Sequence, residues 1–145
     1  MRHEIHFSLR GIAPVSGGRT RWAWRRRIRE AALAAHPSTV TSPAATFEVR
    51  LIFHLAPWRL FRIDLDRLTT PLLDTLFASR DPQANRSLTG VLFPSADDAA
   101  VIRLEAHKVE ATAADQEGID VAVVWQEMDT GRRADHGGAA DRKVL

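Results

Sequence analysis

Two aspartates spaced by one residue, Asp64 and Asp66, are the residues of this sequence whose type and spacing most directly suggest chemistry. They follow an apolar, strand-like run and stand at the beginning of a helix-like one. Mg²⁺ prefers hard oxygen ligands and usually takes one or two carboxylates together with waters and substrate phosphate oxygens. Such an ion can activate a water molecule and stabilise the leaving oxygen of a phosphodiester. This pattern is typical of a divalent-metal site.

A second acidic position, Asp97 and Asp98, follows about thirty residues later in a turn that leads into a strand. Each acidic position also has a simpler explanation. Asp64 would suit the N-cap of a helix and Asp66 its first turn, where the helix dipole favours negative charge. Asp97 and Asp98 would likewise suit a turn and its cap. The spacing alone leaves the metal site and the capping roles both open.

The charge is distributed unevenly along the chain, although the formal net charge is only +2. Residues 1–35 carry eight arginines against two glutamates, a balance of +6, and the other 110 residues have a balance of −4. The eight are Arg2, Arg10, Arg19, Arg21, Arg25, Arg26, Arg27 and Arg29. A basic segment joined to an acidic body suits a protein that binds phosphates at one place and a cation at another. A solvated, arginine-rich helix face is the alternative.

The apolar spacing predicts a helix over residues 21–35, ended by the His36-Pro37 pair because the residue before proline avoids the helical region. Arg21, Arg25 and Arg29 are spaced by four and form a basic stripe on this helix. Two tryptophans lie among these arginines. They could stack on bases, although a tryptophan on an amphipathic helix more commonly belongs to the core.

The remaining patterns complete a small domain. The predicted elements are, in order, a strand at 4–9, the helix at 21–35, a strand at 45–55, a helix beginning at Asp64 or after Thr70, and strands at 101–110 and 119–125. This order predicts a single α+β domain over residues 1–127, with one mixed sheet of about four strands and two main helices. Pro71 leaves the start of the second helix open, because it is either interior to a helix or the first residue of one. Residues 128–145 are predicted to be a polar, disordered tail.

Several classes of protein are disfavoured by composition. The sequence has no cysteine, which removes disulfides, thiolate catalysis and cysteine-ligated zinc. No apolar run is long enough for a membrane span, and the N-terminal residues lack a signal-peptide core. We therefore expect a cytoplasmic protein with no membrane association. The six histidines form no ligand set that the spacing would predict.

Five segments together resemble a known family. They are Pro14-Val15-Ser16 with Arg19, the block Asp64-Leu65-Asp66-Arg67-Leu68, the helix segment Leu73-Asp74-Thr75-Leu76, the block Asp97-Asp98-Ala99-Ala100-Val101, and Lys108. In their order and spacing they resemble the RusA-type Holliday junction resolvases, and the resemblance runs from about residue 5 to residue 126.

The resemblance implies a homodimer that introduces paired nicks into a four-way DNA junction, with Mg²⁺ or, alternatively, Mn²⁺ as cofactor. It implies that Asp64, Asp66 and Asp98 are the catalytic metal ligands, with Asp97 as a neighbouring candidate. We expect the basic side chains near these residues and on the first helix to bind the nucleic acid. They are Arg19, Arg21, Arg25, Arg29, Arg62, Arg67 and Lys108.

The sequence departs from the family pattern at two positions. Arg67 stands where the family commonly has asparagine, and Thr70 stands where it has a catalytically important lysine. Threonine cannot supply positive charge to a scissile phosphate. A second hypothesis is therefore a catalytically impaired relative that still binds DNA junctions. A third is an interaction protein whose basic helix contacts an acidic protein partner.

Overall fold

The computed structural model describes residues 2–11, 19–41, 45–79 and 86–127, without the side chains of residues 19, 20, 86 and 114. The predicted loop at 14–16 and the predicted tail at 128–145 lie outside this part of the chain. Within the described ranges, no helix is long and apolar enough to cross a membrane.

Six strands and three α-helices form the described part of the chain. In order they are β1 (Arg2–Arg10), α1 (Arg19–Ala35), β2 (Ala45–Leu55), α2 (Pro57–Leu60), α3 (Leu65–Leu76), β3 (Phe77–Ala78), β4 (Phe93–Asp97), β5 (Val101–Glu110) and β6 (Gly118–Glu127). Three short 3₁₀ turns occupy Arg86–Leu88, Asp98–Ala100 and Ala114–Gln116.

The main sheet has four strands in the order β1-β6-β2-β5. β6 runs antiparallel to both of its neighbours, and β2 runs parallel to β5. The parallel pair is joined by the long crossover that contains α3, as parallel neighbours require. The prediction of a single α+β domain with a mixed, four-stranded sheet is confirmed.

One face of the sheet packs against α1 and α3 and forms the core. Residues of β2 alternate between this face and the opposite, more polar one, so that Phe47, Val49 and Leu51 are buried. Trp24 and Ile28 of α1 are also buried, because the helix turns its apolar stripe toward the sheet. The expectation that a tryptophan on this helix belongs to the core holds for Trp24.

Pro71 lies inside α3, and the helix runs unbroken from Leu65 to Leu76. Of the two starts that the sequence left open, the earlier one is therefore correct. Pro71 cannot donate a hydrogen bond to the carbonyl of Arg67, which is a local cost of roughly 3 kcal/mol. Its ring is buried, as are Leu68 and Leu72 on either side, and this packing offsets the cost.

A two-stranded parallel sheet, β3 with β4, was not predicted from the sequence. It follows α3 directly and is held by aromatic packing. The rings of Phe77 and Phe93 stack with their centroids 4.9 Å apart, and the ring of Phe47 contacts both edge-on. β3 has only two residues and therefore no readable alternation, so its pairing with β4 depends on contacts between residues far apart in sequence.

Candidate functional site

The acid pair, Asp64 and Asp66, lies at the N-terminal end of α3. Asp64 is the N-cap residue, with φ −73° and ψ 143°, and Asp66 lies in the first helical turn. The partial positive charge at this end of a helix stabilises carboxylates there. The Asp64 side chain accepts no capping hydrogen bond and is 75% exposed. Asp66 is exposed as well, so both carboxylates are accessible to a ligand.

Lys108, predicted to bind nucleic acid, holds the main chain in front of the acid pair. Its Nζ donates hydrogen bonds to the carbonyl oxygens of Leu60 and Ile63, at 2.6 Å and 3.0 Å. Ile63 is buried and directly precedes Asp64. An ammonium group has three protons, and two are engaged by these bonds. Lys108 therefore fixes the start of α3 against β5.

A second anchor holds α2, the short helix before the acid pair. The Ala56 amide donates to Glu117 Oε2 at 2.8 Å, and Arg59 Nε lies 3.6 Å from the same oxygen. The Arg59 guanidinium also lies 4.6 Å from the centroid of the Trp58 ring. Trp58 is 63% exposed and Phe61 is 90% exposed. No element was predicted for this segment, and these two exposed aromatic rings, which could stack on bases, were not among the predicted site residues.

Two predicted phosphate-binding arginines flank the acid pair. Arg62 is exposed. Arg67 is also exposed, and its Nε lies 4.0 Å from Asp64 Oδ2, at the outer limit of an ion pair. An ion pair this long between exposed groups contributes little to stability. Arg67 is therefore able to leave the Asp64 carboxylate and bind a phosphate with little loss of stability.

Asp97 and Asp98 lie near the other end of α3. Asp97 caps the 3₁₀ turn that follows β4, since its Oδ1 accepts a hydrogen bond from the Ala99 amide at 2.8 Å. Asp98 is exposed. Both line a cavity of about 250 Å³, together with Asp74 of α3. Asp74 was not among the predicted site residues, although Asp66, Thr70 and Asp74 are spaced by four and would form one stripe on a helix.

The predicted ligand set is divided between the two ends of α3. Asp74 is eight residues from Asp66, which corresponds to about 12 Å of helix rise. The cavity that contains Asp98 is lined by Asp74 and not by the acid pair. Within the described part of the chain, no three His, Asp or Glu side chains are grouped so that they could hold a metal ion. The acid pair offers the one or two protein carboxylates that Mg²⁺ usually takes, whereas the described residues form no three-carboxylate cage.

Arg25, predicted to bind nucleic acid, is placed in the interior. Only 3% of the residue is exposed. Its Nε donates to Thr75 Oγ1 at 2.9 Å, and its Nη2 donates to the Asp74 and Leu88 carbonyls at 3.2 Å and 2.5 Å. Burial lowers the pKa of the Arg25 guanidinium, and the nearby Asp74 partly opposes this shift. Arg25 thus joins α1 to α3 and to the turn at 86–88, and it is not accessible to a phosphate in this structure.

The other members of the stripe on α1 have a different environment. Arg21 and Arg29 are exposed, as are Arg26 and Arg27, and Arg27 Nη2 donates to the Arg10 carbonyl. Arg19 was also predicted to bind nucleic acid, and its side chain lies outside the described part of the chain. The exposed arginines of α1 form a basic surface that could neutralise phosphates.

A hydrogen-bonded cluster on the open face of the sheet was not predicted. Ser8 Oγ donates to Asp120 Oδ1 at 2.8 Å, and His54 Nε2 lies 2.7 Å from Asp120 Oδ2. Partial burial raises the pKa of the Asp120 carboxyl, but the bonds from His54 and Ser8 outweigh this effect and the net pKa is lowered. The three residues come from β1, β2 and β6, so no local pattern could have revealed the cluster.

Comparison with known proteins adds no assignment. No protein-family model matches the chain, and no curated protein sequence matches it.

Proposed function

We propose that this chain is a Mg²⁺-dependent endodeoxyribonuclease that resolves four-way DNA junctions by paired nicks, and that it acts as a homodimer in the cytoplasm. The acid pair, Asp64 and Asp66, would hold the ion, with Mn²⁺ as an alternative. When bound, the ion would activate water and neutralise charge on the phosphodiester. Asp98, with Asp97 as its neighbour, is proposed as a catalytic carboxylate that lies apart from the acid pair within one subunit, since both line the cavity at the other end of α3.

The observation that carries this proposal is the position of the acid pair. Both carboxylates are exposed at the start of a buried helix, and the Lys108 ammonium fixes the adjoining main chain. Rigid support of this kind is what a metal-dependent site requires, since small displacements of catalytic groups reduce rates strongly.

The positive charge around the acid pair supports nucleic acid as the substrate. Arg62 and Arg67 are exposed beside it, and Arg21 and Arg29 are exposed on α1. Arginine forms bidentate contacts with phosphate. In this proposal these side chains position the DNA backbone and contribute no base specificity.

The test is to separate cleavage from binding by Asp64→Asn and Asp66→Asn substitutions. We expect each to reduce nicking of a synthetic four-way junction at least 100-fold, because the amide no longer supplies a negatively charged metal ligand. Junction affinity, measured in EDTA, should be unchanged or slightly higher. Asp115→Asn, at an exposed carboxyl in the 3₁₀ turn before β6, is the matched control and should leave nicking unchanged. Undiminished nicking by both acid-pair variants would overturn the metal-site assignment.

A second candidate is a junction-binding protein with impaired catalysis. It is favoured by the separation of Asp98 from the acid pair and by Thr70, which is exposed and uncharged. It predicts junction binding that weakens steeply with salt and no nicking in either Mg²⁺ or Mn²⁺. Metal-dependent nicks would exclude it.

A further inference from the structure

β5 is an edge strand that exposes apolar side chains. β5 is the last strand of the sheet and pairs only with β2 among the described strands. Two large apolar side chains of this strand are exposed, since Ile102 is 68% exposed and Leu104 is 46% exposed. An edge strand presents unpaired amide and carbonyl groups, and proteins ordinarily blunt or cover such an edge.

The two faces of β5 have different chemistry. Leu104 and Ala106 lie opposite Val49 and Leu51 of β2, which places them on the helix-covered side of the sheet. Arg103 and Glu105 lie opposite Glu48 and Arg50, on the open side. The edge therefore offers an apolar row on one side and a charged row on the other.

The charged row is a network with equal numbers of both signs. Glu105 accepts hydrogen bonds from Arg50 Nε and Arg103 Nη2, both at 2.9 Å. Arg103 Nη1 lies 3.9 Å from Glu48 Oε1. Arg103 and Glu105 flank Leu104. When a second copy of β5 runs in the opposite direction, the arginine of each strand therefore faces the glutamate of the other.

We propose that β5 pairs antiparallel with β5 of a second copy of this chain, with Leu104 facing Leu104 of that copy on a two-fold axis. In this register Arg103 lies opposite Glu105 of the second copy. The pairing of β5 with β2 is irregular at Ile102, so Ile102 does not help to fix the register. A register centred on residue 103 would place two arginines opposite each other, and one centred on residue 105 would place two glutamates opposite each other. Like charges directly opposite are unfavourable, so the charges select the register centred on Leu104.

A second copy is the occupant that this edge fits, because a two-fold interface uses the same patch on both subunits. The two four-stranded sheets would become one eight-stranded sheet with continuous apolar and charged rows. Lys108, four residues from the axis, would lie about 26 Å along the strands from Lys108 of the second copy. The proposed strand pairing depends only on β5. That this spacing places two acid pairs for paired nicks rests on the proposed function.

The register is tested by disulfide formation, since the chain has no native cysteine. Directly opposite residues have Cα atoms about 4.5–5.5 Å apart, within the range of a disulfide. Mild oxidation should cross-link the Leu104→Cys protein into a dimer in high yield. The Ala106→Cys protein should remain uncross-linked, because residue 106 lies four positions along the strands, or about 13 Å, from residue 106 of the second copy. Absence of the Leu104→Cys cross-link, or equal cross-linking of the Leu104→Cys and Ala106→Cys proteins, would overturn this register.

The charges are tested by sedimentation equilibrium. The native chain should have twice the monomer mass of 16.2 kDa. The Arg103→Glu and Glu105→Arg proteins are each checked for folding by circular dichroism. Each should be monomeric alone, because residues 103 and 105 of the two copies then carry like charges where they face each other. An equimolar mixture should recover the dimer mass, since an all-acidic strand meets an all-basic one. Monomeric behaviour of the mixture, or of the native chain at micromolar concentration, would overturn the interface.

These results are separable from the proposed function. A cross-linked dimer that never nicks a junction would contradict the nuclease and support the interface. Junction nicking by the native chain, together with no cross-link in the Leu104→Cys protein, would support the nuclease and contradict the interface.

Discussion

The three arginines of the basic stripe on α1 have different environments. Arg21 and Arg29 are exposed, whereas Arg25 between them is buried and donates to three oxygens of other elements. A spacing of four keeps residues near one another on a helix, but the face drifts by about 40° at each step. The stripe therefore crosses the boundary between solvent and core. The burial of Arg25 assigns it to the interior of the molecule, and its exposed neighbours are the candidates for DNA contact.

Replacing Arg25 should destabilise the fold. In Arg25→Ala the buried carbonyls of Asp74 and Leu88 lose their donor, and we expect unfolding to become easier by about 3 kcal/mol. Arg26→Ala, one residue away and exposed, is the control and should change stability by no more than about 0.5 kcal/mol. Urea unfolding followed by circular dichroism measures both. Equal midpoints for the two variants would show that the Arg25 contacts are not formed in solution.

At the scale of elements, the open face of the sheet is joined by polar contacts between strands. Asp120 of β6 lies between Ser8 of β1 and His54 of β2. Because its pKa is lowered in the folded state, this carboxylate contributes stability above its unfolded pKa of about 3.9. The contribution is lost as the pH falls through the lower, folded pKa. Half of the side chain is exposed, so the contribution is less than about 1 kcal/mol.

Asp120→Asn should remove this dependence. Relative to the native chain, the variant should be less stable at pH 6, and the difference should shrink as the pH falls from about 5 to 2. Guanidinium unfolding at a series of pH values is the measurement, with the exposed Asp115→Asn as control. A stability difference that stays constant across this range would show that the Asp120 carboxylate is not held by its neighbours.

The long elements were predictable because their apolar periods are regular over many residues. β2 alternates over eleven residues, and the strand was predicted from the sequence with its observed bounds, 45–55. The start of α3 could not be predicted, because the burial of Pro71 depends on contacts that no local pattern contains. The same is true of the separation of Asp98 from the acid pair. Sequence spacing placed each carboxylate beside an element, but only the packing of α3 against β5 and against the residues before β4 determines which carboxylates lie close together.

For the whole molecule, the uneven charge along the chain corresponds to different helices. The arginines of α1 supply an exposed basic surface, and the acid pair lies at the start of α3. In the proposed function the basic surface binds phosphates, and the acid pair, with Arg67 beside it, retains the cation. Pairing through β5 would give the molecule two such sites, as two nicks require.

The most direct test of this account is a nicking assay with the native chain on a synthetic four-way junction, in the presence of a ten-fold excess of linear duplex. The account predicts symmetric nicks in Mg²⁺, none in EDTA, and no loss of cleavage to the linear competitor. Junction binding without nicks in both Mg²⁺ and Mn²⁺ would contradict the assignment of the acid pair as a catalytic metal site. Equal affinity for linear and branched DNA would contradict the junction as substrate.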